Sequence, residues 1–232
     1  MGQYEYARGV FIGHYAPALA LKPIARRVPL WVLFVAVQLL DFGWDAFVFV
    51  GIEHVRITPG FTASNDYELY DMPWTHSLVA ALAWSIAAAL VTRRLAPGNA
   101  TDARVGALVV GVAVFSHWAL DALVHASDLS IAGPGTPYVG LGLWNYPILQ
   151  TSLEVGLVIA GGLLAARGHG PAARPVLALT AVLVVVAIVE RLVPPPASVM
   201  QLVISAFAAY VAFALAAWRV DRAGQSQSRS GV

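Results

Sequence analysis

Apolar residues fall into six long blocks, at 29–51, 74–91, 105–125, 147–166, 175–193 and 198–218, separated by polar or Gly- and Pro-rich stretches. Each block is near the length a helix needs to cross a hydrocarbon core of ~30 Å. A seventh apolar stretch, 9–21, is too short to span and is interrupted by His14 and Pro17. It predicts an interfacial or re-entrant half-helix, because non-helical backbone at membrane depth is tolerated only where protein or a cavity covers it. Ala18 and Ala20 make an A-x-A-like pair, but a His and a Pro inside the apolar run and a weakly charged start argue against a signal peptide. The pattern predicts an all-α polytopic bundle of about six transmembrane helices plus this short amino-terminal segment.

Composition sharpens the class. The chain is 59% apolar and 12% charged, with mean hydropathy +0.71, far from soluble usage. The formal net charge of +1 gives no reason to expect a nucleic-acid partner. Cysteine is absent, so any metal site must be built from His, Asp, Glu and water. One transmembrane domain, 1–220, is expected, with its polar site in 10–155 and plain scaffold helices in 175–218. A disordered cytoplasmic tail, 221–232, is expected to follow.

Two long loops stand out. Residues 52–73 are polar and turn-rich, and 126–146 are rich in Gly and Pro without an evident helix or strand pattern. Twelve Lys and Arg residues fall on one side of a six-span arrangement, and only Arg56 and Arg191 fall on the other. The positive-inside rule then places both termini in the cytoplasm and both loops outside. His169 falls in a cytoplasmic turn and is expected to be solvent-exposed.

Ionisable residues inside the spans are costly, roughly 2.5–3.5 kcal/mol each at mid-helix, and need partners or a water-filled cavity. His117, Asp121 and His125 are spaced i, i+4, i+8, so they form one stripe of a helix with only ~40° of drift per step. Asp41 and Asp45 share a face of the first span, where a cation best relieves their repulsion. His76, in PWTHS, is placed a turn inside the second span, with Thr75 or Ser77 available to cap it. In the outward-loops topology Asp45, His76, His117, Asp121, His125 and Glu154 lie at similar depth, while Asp41 lies near the midplane and His14 approaches only if its segment dips inward. His and carboxylate together suit Zn²⁺ better than Mg²⁺ or Ca²⁺, which favour oxygen. The bland alternatives are packing hydrogen-bond pairs within the bundle, or rim residues touching water in the case of Glu154 and His125. Ser77 and Ser116 each adjoin a histidine, but i, i+1 neighbours do not face each other, so a Ser/His nucleophile is unsupported. Gly156 with Ala160 suggests close helix packing.

GHYAPALAL, LLDFGWD, PWTHS and SHWALD, in that order and spacing over roughly residues 10–145, resemble the bacterial inner-membrane family of LexA-binding, metal-dependent hydrolases. That family is more remotely similar to the zinc-dependent phospholipase C and S1/P1 nuclease group. The resemblance implies a divalent metal, zinc above all, with His14, Asp41, Asp45, His76, His117 and Asp121 as ligands and Asp45, His117 and Asp121 as catalytic residues. Two departures are visible: the acids of the first span are four apart rather than two, and Asp71–Trp74 replaces an H-R before the T-H-S.

The expected function is a bacterial inner-membrane metal-dependent hydrolase acting on a lipid, phosphodiester or other small molecule near the outer leaflet. Membrane lipid is then the partner, and a homo-oligomer is compatible with the pattern. The alternative is a proton- or cation-coupled transporter or channel using the same residues. Confinement of the polar residues to the first four spans favours a site on a scaffold over two similar transporter halves.

Overall fold

The computed structural model describes residues 12–95, 98–169 and 173–230. The polar start of the chain, the beginning of the short apolar segment at Gly9, and the side chain of His169 lie outside the described residues. A 3-10 turn, Ile12–His14, leads into α1, Tyr15–Leu21; α2, Leu30–Val37, and α3, Leu39–Phe49, follow. A hairpin of β1, His54–Ile57, and β2, Tyr67–Asp71, precedes α4, Leu78–Leu95, and α5, Ala100–Val124. After the two-residue strands β3, Leu129–Ser130, and β4, Tyr138–Val139, come α6, Pro147–His169, α7, Ala173–Val189, and α8, Val199–Ser230.

The expected helical class holds. α4, α5, α6, α7 with its following turn, and α8 are each long and apolar enough to cross a membrane, and α2 with α3 makes a sixth candidate span bent by 52°. Many large apolar side chains on these helices point outward, including Leu108, Ile148 and Leu215. An apolar exterior on this scale disfavours water and suits lipid, so the chain has the build of a multi-pass membrane protein.

The short amino-terminal segment is enclosed by protein. Ile12, His14, Tyr15, Ala18 and Leu19 are buried, and α1 packs against α2, α5 and α6. Gly161 of α6 permits this closeness, since a Cβ there would come within 2.6 Å of the Ala16 carbonyl oxygen. Gly156, expected to serve such packing, has nothing within 4 Å of its Cβ position.

Helix ends show how distant pieces are tied. Asn99 caps α5 by accepting from the Asp102 N–H at 2.9 Å. The N-terminus of α2 is capped from across the bundle: the Asp221 carboxylate accepts from the Leu30 and Trp31 N–H groups at 3.0 and 3.1 Å. Asp221 belongs to α8, which continues to Ser230. The segment expected as a disordered tail is therefore helical over 221–230 and contributes a cap.

Three further expectations are corrected. The first span is not one straight helix, because Gln38, with φ −112° and ψ 10°, interrupts it between α2 and α3. Helix α4 begins at Leu78, so His76 lies in the turn before it. Ser77 caps this helix, accepting from the Ala80 N–H at 3.1 Å, which leaves Thr75 for another role. Finally, the polar loop 52–73 contains the β1–β2 hairpin, and 126–146 contains the β3–β4 pair.

Candidate metal centre

α5 supplies the frame. His117, Asp121 and His125 are all buried and lie along one side of its last two turns, as the spacing predicts. His125 stands at the C-cap, where ψ of 150° takes the chain out of the helix. Asp41 arrives from the first turn of α3, His76 from the turn before α4, and His14 from the end of the 3-10 turn.

Donor atoms gather around His117 in two triads, Asp41 with His76 and Asp121 with His14. His76 Nε2 and His117 Nε2 are 3.3 Å apart, and each is 3.3 Å from Asp41 Oδ1. Asp121 Oδ2 lies 3.6 Å from His76 Nε2 and 3.2 Å from His117 Nε2. A tetrahedral zinc with ligand bonds of about 2.0–2.1 Å would have ligand–ligand edges of about 3.3–3.4 Å. The separations among Asp41 Oδ1, His76 Nε2 and His117 Nε2 match those edges, so these three residues fit one face of a tetrahedral cation site, and Asp121, with His117 and His14, forms a second buried triad that could hold a metal.

The outer partners fix the imidazoles in the form a metal needs. His117 Nδ1 donates to the Val37 carbonyl at 2.7 Å. Val37 is the last residue of α2, so its carbonyl is one of the acceptors a helix end leaves unpaired, and the break at Gln38 makes it available. His76 Nδ1 lies 2.7 Å from Thr75 Oγ1, whose hydroxyl lies 2.6 Å from Glu53 Oε2. Glu53 Oε1 accepts from the Trp74 and Thr75 N–H groups at 2.7 and 3.0 Å. With Glu53 ionised, the Thr75 hydroxyl donates to it and accepts from His76 Nδ1–H. Burial pushes the Glu53 carboxyl up, against those hydrogen bonds and the nearby His76. Asp41 Oδ2 accepts from the Tyr210 hydroxyl of α8 at 2.7 Å, leaving Oδ1 for the centre.

Both Nε2 atoms and Asp41 Oδ1 thus face one small volume, with Asp121 Oδ2 on its edge. A single proton on one nitrogen is directed along one axis and satisfies one acceptor well, whereas a divalent cation satisfies Asp41, His76 and His117 together. Asp121 Oδ2 is buried and has no hydrogen-bond partner. The donor set contains nitrogen, which favours zinc-like ions over Mg²⁺ or Ca²⁺.

The remaining expected site residues divide. Among these, His14 joins the cluster, with Nε2 3.2 Å from Asp121 Oδ1 and its ring stacked on His117 at 4.0 Å. Asp45 does not reach the four donor atoms: it is buried one turn beyond Asp41, and neither carboxylate oxygen has a hydrogen-bond partner. Glu154 is not at the metal position either. It is buried on α6, accepts from Gln150 and from the Ile12 and Gly13 N–H groups, and so holds the turn that carries His14.

The centre opens on a cavity of about 360 Å³. His14, Asp41, His76, Asp121 and His125 form its polar end, and Trp44, Leu69, Met72, Trp144 and Leu202 are among its apolar walls. Tyr210, Glu53, Thr75 and the cavity-lining Glu190 were not picked out by spacing. The only signal for them was a polar group in or beside an apolar span. Nor were the last two spans mere scaffold, since Glu190 follows α7 and Gln201 and Tyr210 come from α8. Searches against protein-family models, curated proteins and solved structures find no match to this chain.

Proposed function

We propose that this chain is a metal-dependent hydrolase of a bacterial inner membrane, of the LexA-binding kind its motifs resemble, acting on a lipid or phosphodiester near the outer leaflet. The observation that carries the reading is the convergence of Asp41, His76 and His117 at tetrahedral edge lengths, with Asp121 beside the two imidazoles. They stand at the polar end of a cavity whose other walls are mainly apolar. Such a cavity suits an amphipathic substrate: an acyl portion against Trp44, Leu69, Met72 and Leu202, and an ester or phosphate at the His/Asp end.

When bound, a zinc-like ion supplies Lewis acidity and lowers the pKa of water to about 7. The protein's own part is placement. Val37 and Thr75 hold the two imidazoles with Nε2 inward, Tyr210 orients Asp41, and residues of both long loops, Tyr67, Leu69, Met72 and Trp144, close over the cavity. Arg93 and Arg94 at the far end of α4 and Arg104 near the start of α5 lie at the opposite pole of the α4–α5 pair from His76 and Asp121. With the basic end cytoplasmic, the cavity faces outward.

A relay of protons or cations is the second reading. It draws on Asp45, whose buried carboxylate continues the polar face of α3 beyond the centre without a partner. A labelled lipid extract and a phosphodiester panel, assayed with Zn²⁺ and Mn²⁺ beside a sealed-vesicle flux assay, separate the two. Hydrolysis lost in His117→Ala and Asp121→Ala supports the enzyme; flux lost in both variants without hydrolysis by the wild type overturns it. For orientation, Cys at Ser127 should react with an impermeant thiol reagent from outside and Cys at Thr101 should not.

A further inference from the structure

The cavity is covered on one side and open on another. Tyr67, Met72 and Trp144, from the two long loops, are only 8%, 6% and 8% exposed, so the side under the loops is closed. Val189 and Val193 at the end of α7 line the same cavity but are 45% and 51% exposed, and Gln201 and Ser205 of α8 line it and are exposed too. The opening is therefore a mouth between α7 and α8, two helices long and apolar enough to span a membrane. Ile188 and Leu192 beside one edge and Ile204 and Phe207 beside the other are exposed, so the mouth is set in a surface that suits lipid. We propose that the substrate enters sideways through this mouth from the bilayer, as a glycerophospholipid of the leaflet nearer the two loops, and not from water. The proposal rests on reading the cavity as a hydrolytic site and narrows its substrate to a membrane lipid.

The gap between the two helices is built by the chain around it. The inner halves of α7 and α8 share the main core, where Leu179, Leu183, Phe213 and Ala217 are buried. Beyond Ala187 they part: no residue from 188 to 201 is buried, and Leu202 and Val203 pack instead with Trp44, Val55 and Tyr67. Arg191 Nη2 donates to Gln150 Oε1 at 2.5 Å, which ties the end of α7 to α6. Val193 is extended, with φ −94° and ψ 135°, and Pro194, Pro195 and Pro196 follow. Consecutive prolines favour an extended backbone of about 3.1 Å per residue, so this link acts as a spacer between the two helix ends. On the α8 wall the small side chains of Ala206 and Ala209 leave room behind the mouth.

Size and polarity select the occupant. The cavity, about 360 Å³, is near the lower end of the ~300–1,000 Å³ that enclose a drug-sized ligand. A two-chain lipid can place only its head and the first part of a chain inside. With a lateral mouth the rest stays in hydrocarbon, and every methylene left there is spared transfer to water. A head passing the mouth meets Glu190, Gln201 and Ser205 on its way to Tyr210 and Asp41, so polar side chains accompany it from the edge to the His/Asp end.

Entry is tested by where a lipid reacts. Full-length protein is reconstituted in vesicles containing a phosphatidylethanolamine with a diazirine in one acyl chain, irradiated in the presence of chelator, and digested for mass spectrometry. Labelling of the buried wall residues Trp44 and Leu202 is expected, beside general labelling of outward residues such as Leu108. The chain has no cysteine, so Ser205→Cys and Val189→Cys each place a single thiol at one edge of the mouth. Unmodified, each should label as the wild type does, which shows that the fold survives. A bulky maleimide on either should abolish labelling at Trp44 and Leu202 and leave Leu108 unchanged. The same maleimide on Tyr70→Cys, exposed on the hairpin next to Leu69, should change nothing. Wild-type labelling confined to outward residues would overturn the proposal. So would labelling of Trp44 that survives the block at either edge, or that is lost when Tyr70→Cys is blocked. These outcomes are read in chelator without turnover, so a failed entry test leaves the hydrolase reading to its own assay.

Discussion

Helices α3 and α5 each carry ionisable residues at i, i+4, yet they use them differently. On α5 the stripe continues through three residues, and His117, Asp121 and His125 all meet the centre or its edge. On α3 only Asp41 does, while Asp45 is buried nearby without a hydrogen-bond partner. Spacing tells which side of a helix two residues share. It does not tell at what height the neighbouring elements stop. His14 and His76 both reach the level of Asp41 from short turns, and one turn further along α3 the neighbours are no longer ligands. The repulsion between the two acids, read from spacing as a reason for a shared cation, is met at Asp41 alone, by two histidines and Tyr210.

The largest expected break in this contrast is on α5. Asp121→Asn removes the charge that faces both His76 with His117 and His14 with His125, leaving imidazoles directed at one another in a buried volume. Zinc affinity, measured by competition with a chromophoric chelator, should fall at least 1,000-fold, about 4 kcal/mol. Asp41→Asn should follow, with a loss on the order of 100-fold, because the other three donors persist.

Outer partners come next. Tyr210→Phe deletes the hydroxyl that orients Asp41, and a loss of roughly 10- to 100-fold in zinc affinity is expected. Glu53→Gln tests the imidazole directly. The glutamine oxygen retains the two backbone N–H bonds, but its amide then donates to Thr75 Oγ1, and the hydroxyl proton turns toward His76 Nδ1. That tautomer places a proton on Nε2. The expected loss is again roughly 10- to 100-fold, with the wild-type melting temperature in chelator retained within a few degrees. Nitrogen-15 chemical shifts of His76 report the tautomer; an unchanged Nδ1–H state in Glu53→Gln would remove this account.

How much of this was legible depends on the distance over which each residue acts. The α5 stripe is local to one helix, and periodicity displays it. The spans follow from hydropathy because lipid-facing residues need no partner to be recognised. The bend at Gln38 carries no Pro or Gly, so nothing in the local sequence announces it; what secures its geometry is His117, from another helix. The role of Tyr210 depends on contact with Asp41 across 169 residues. The Glu53–Thr75 link crosses a hairpin whose strands His54–Ile57 and Tyr67–Asp71 are too polar to stand out beside the apolar blocks. His76 lies before α4 and not a turn inside it, because the apolar block at 74–91 starts earlier than the helix that Ser77 caps.

Asp45 is expected to give the smallest effect on the metal, and the sign of its effect on stability sharpens the comparison. Asparagine at this position keeps the shape and removes the ionisable group. Because neither oxygen of Asp45 has a hydrogen-bond partner and the histidine partners belong to Asp41, the substitution takes away no bond present in the fold. Asp45→Asn should therefore leave zinc affinity within about threefold, far inside the range expected for outer-partner losses. It should shift stability by less than about 1 kcal/mol, since the amide leaves a similar number of buried polar atoms unpaired. Asp45→Leu should raise stability by on the order of 1 kcal/mol, because an apolar side chain leaves no polar atom unpaired and eases insertion as well. Thermal unfolding of both variants, run with chelator so that metal binding does not enter, measures this. A fall in melting temperature together with loss of zinc would show that Asp45 is held ionised for the centre, and α3 would then use its pair as α5 uses its stripe.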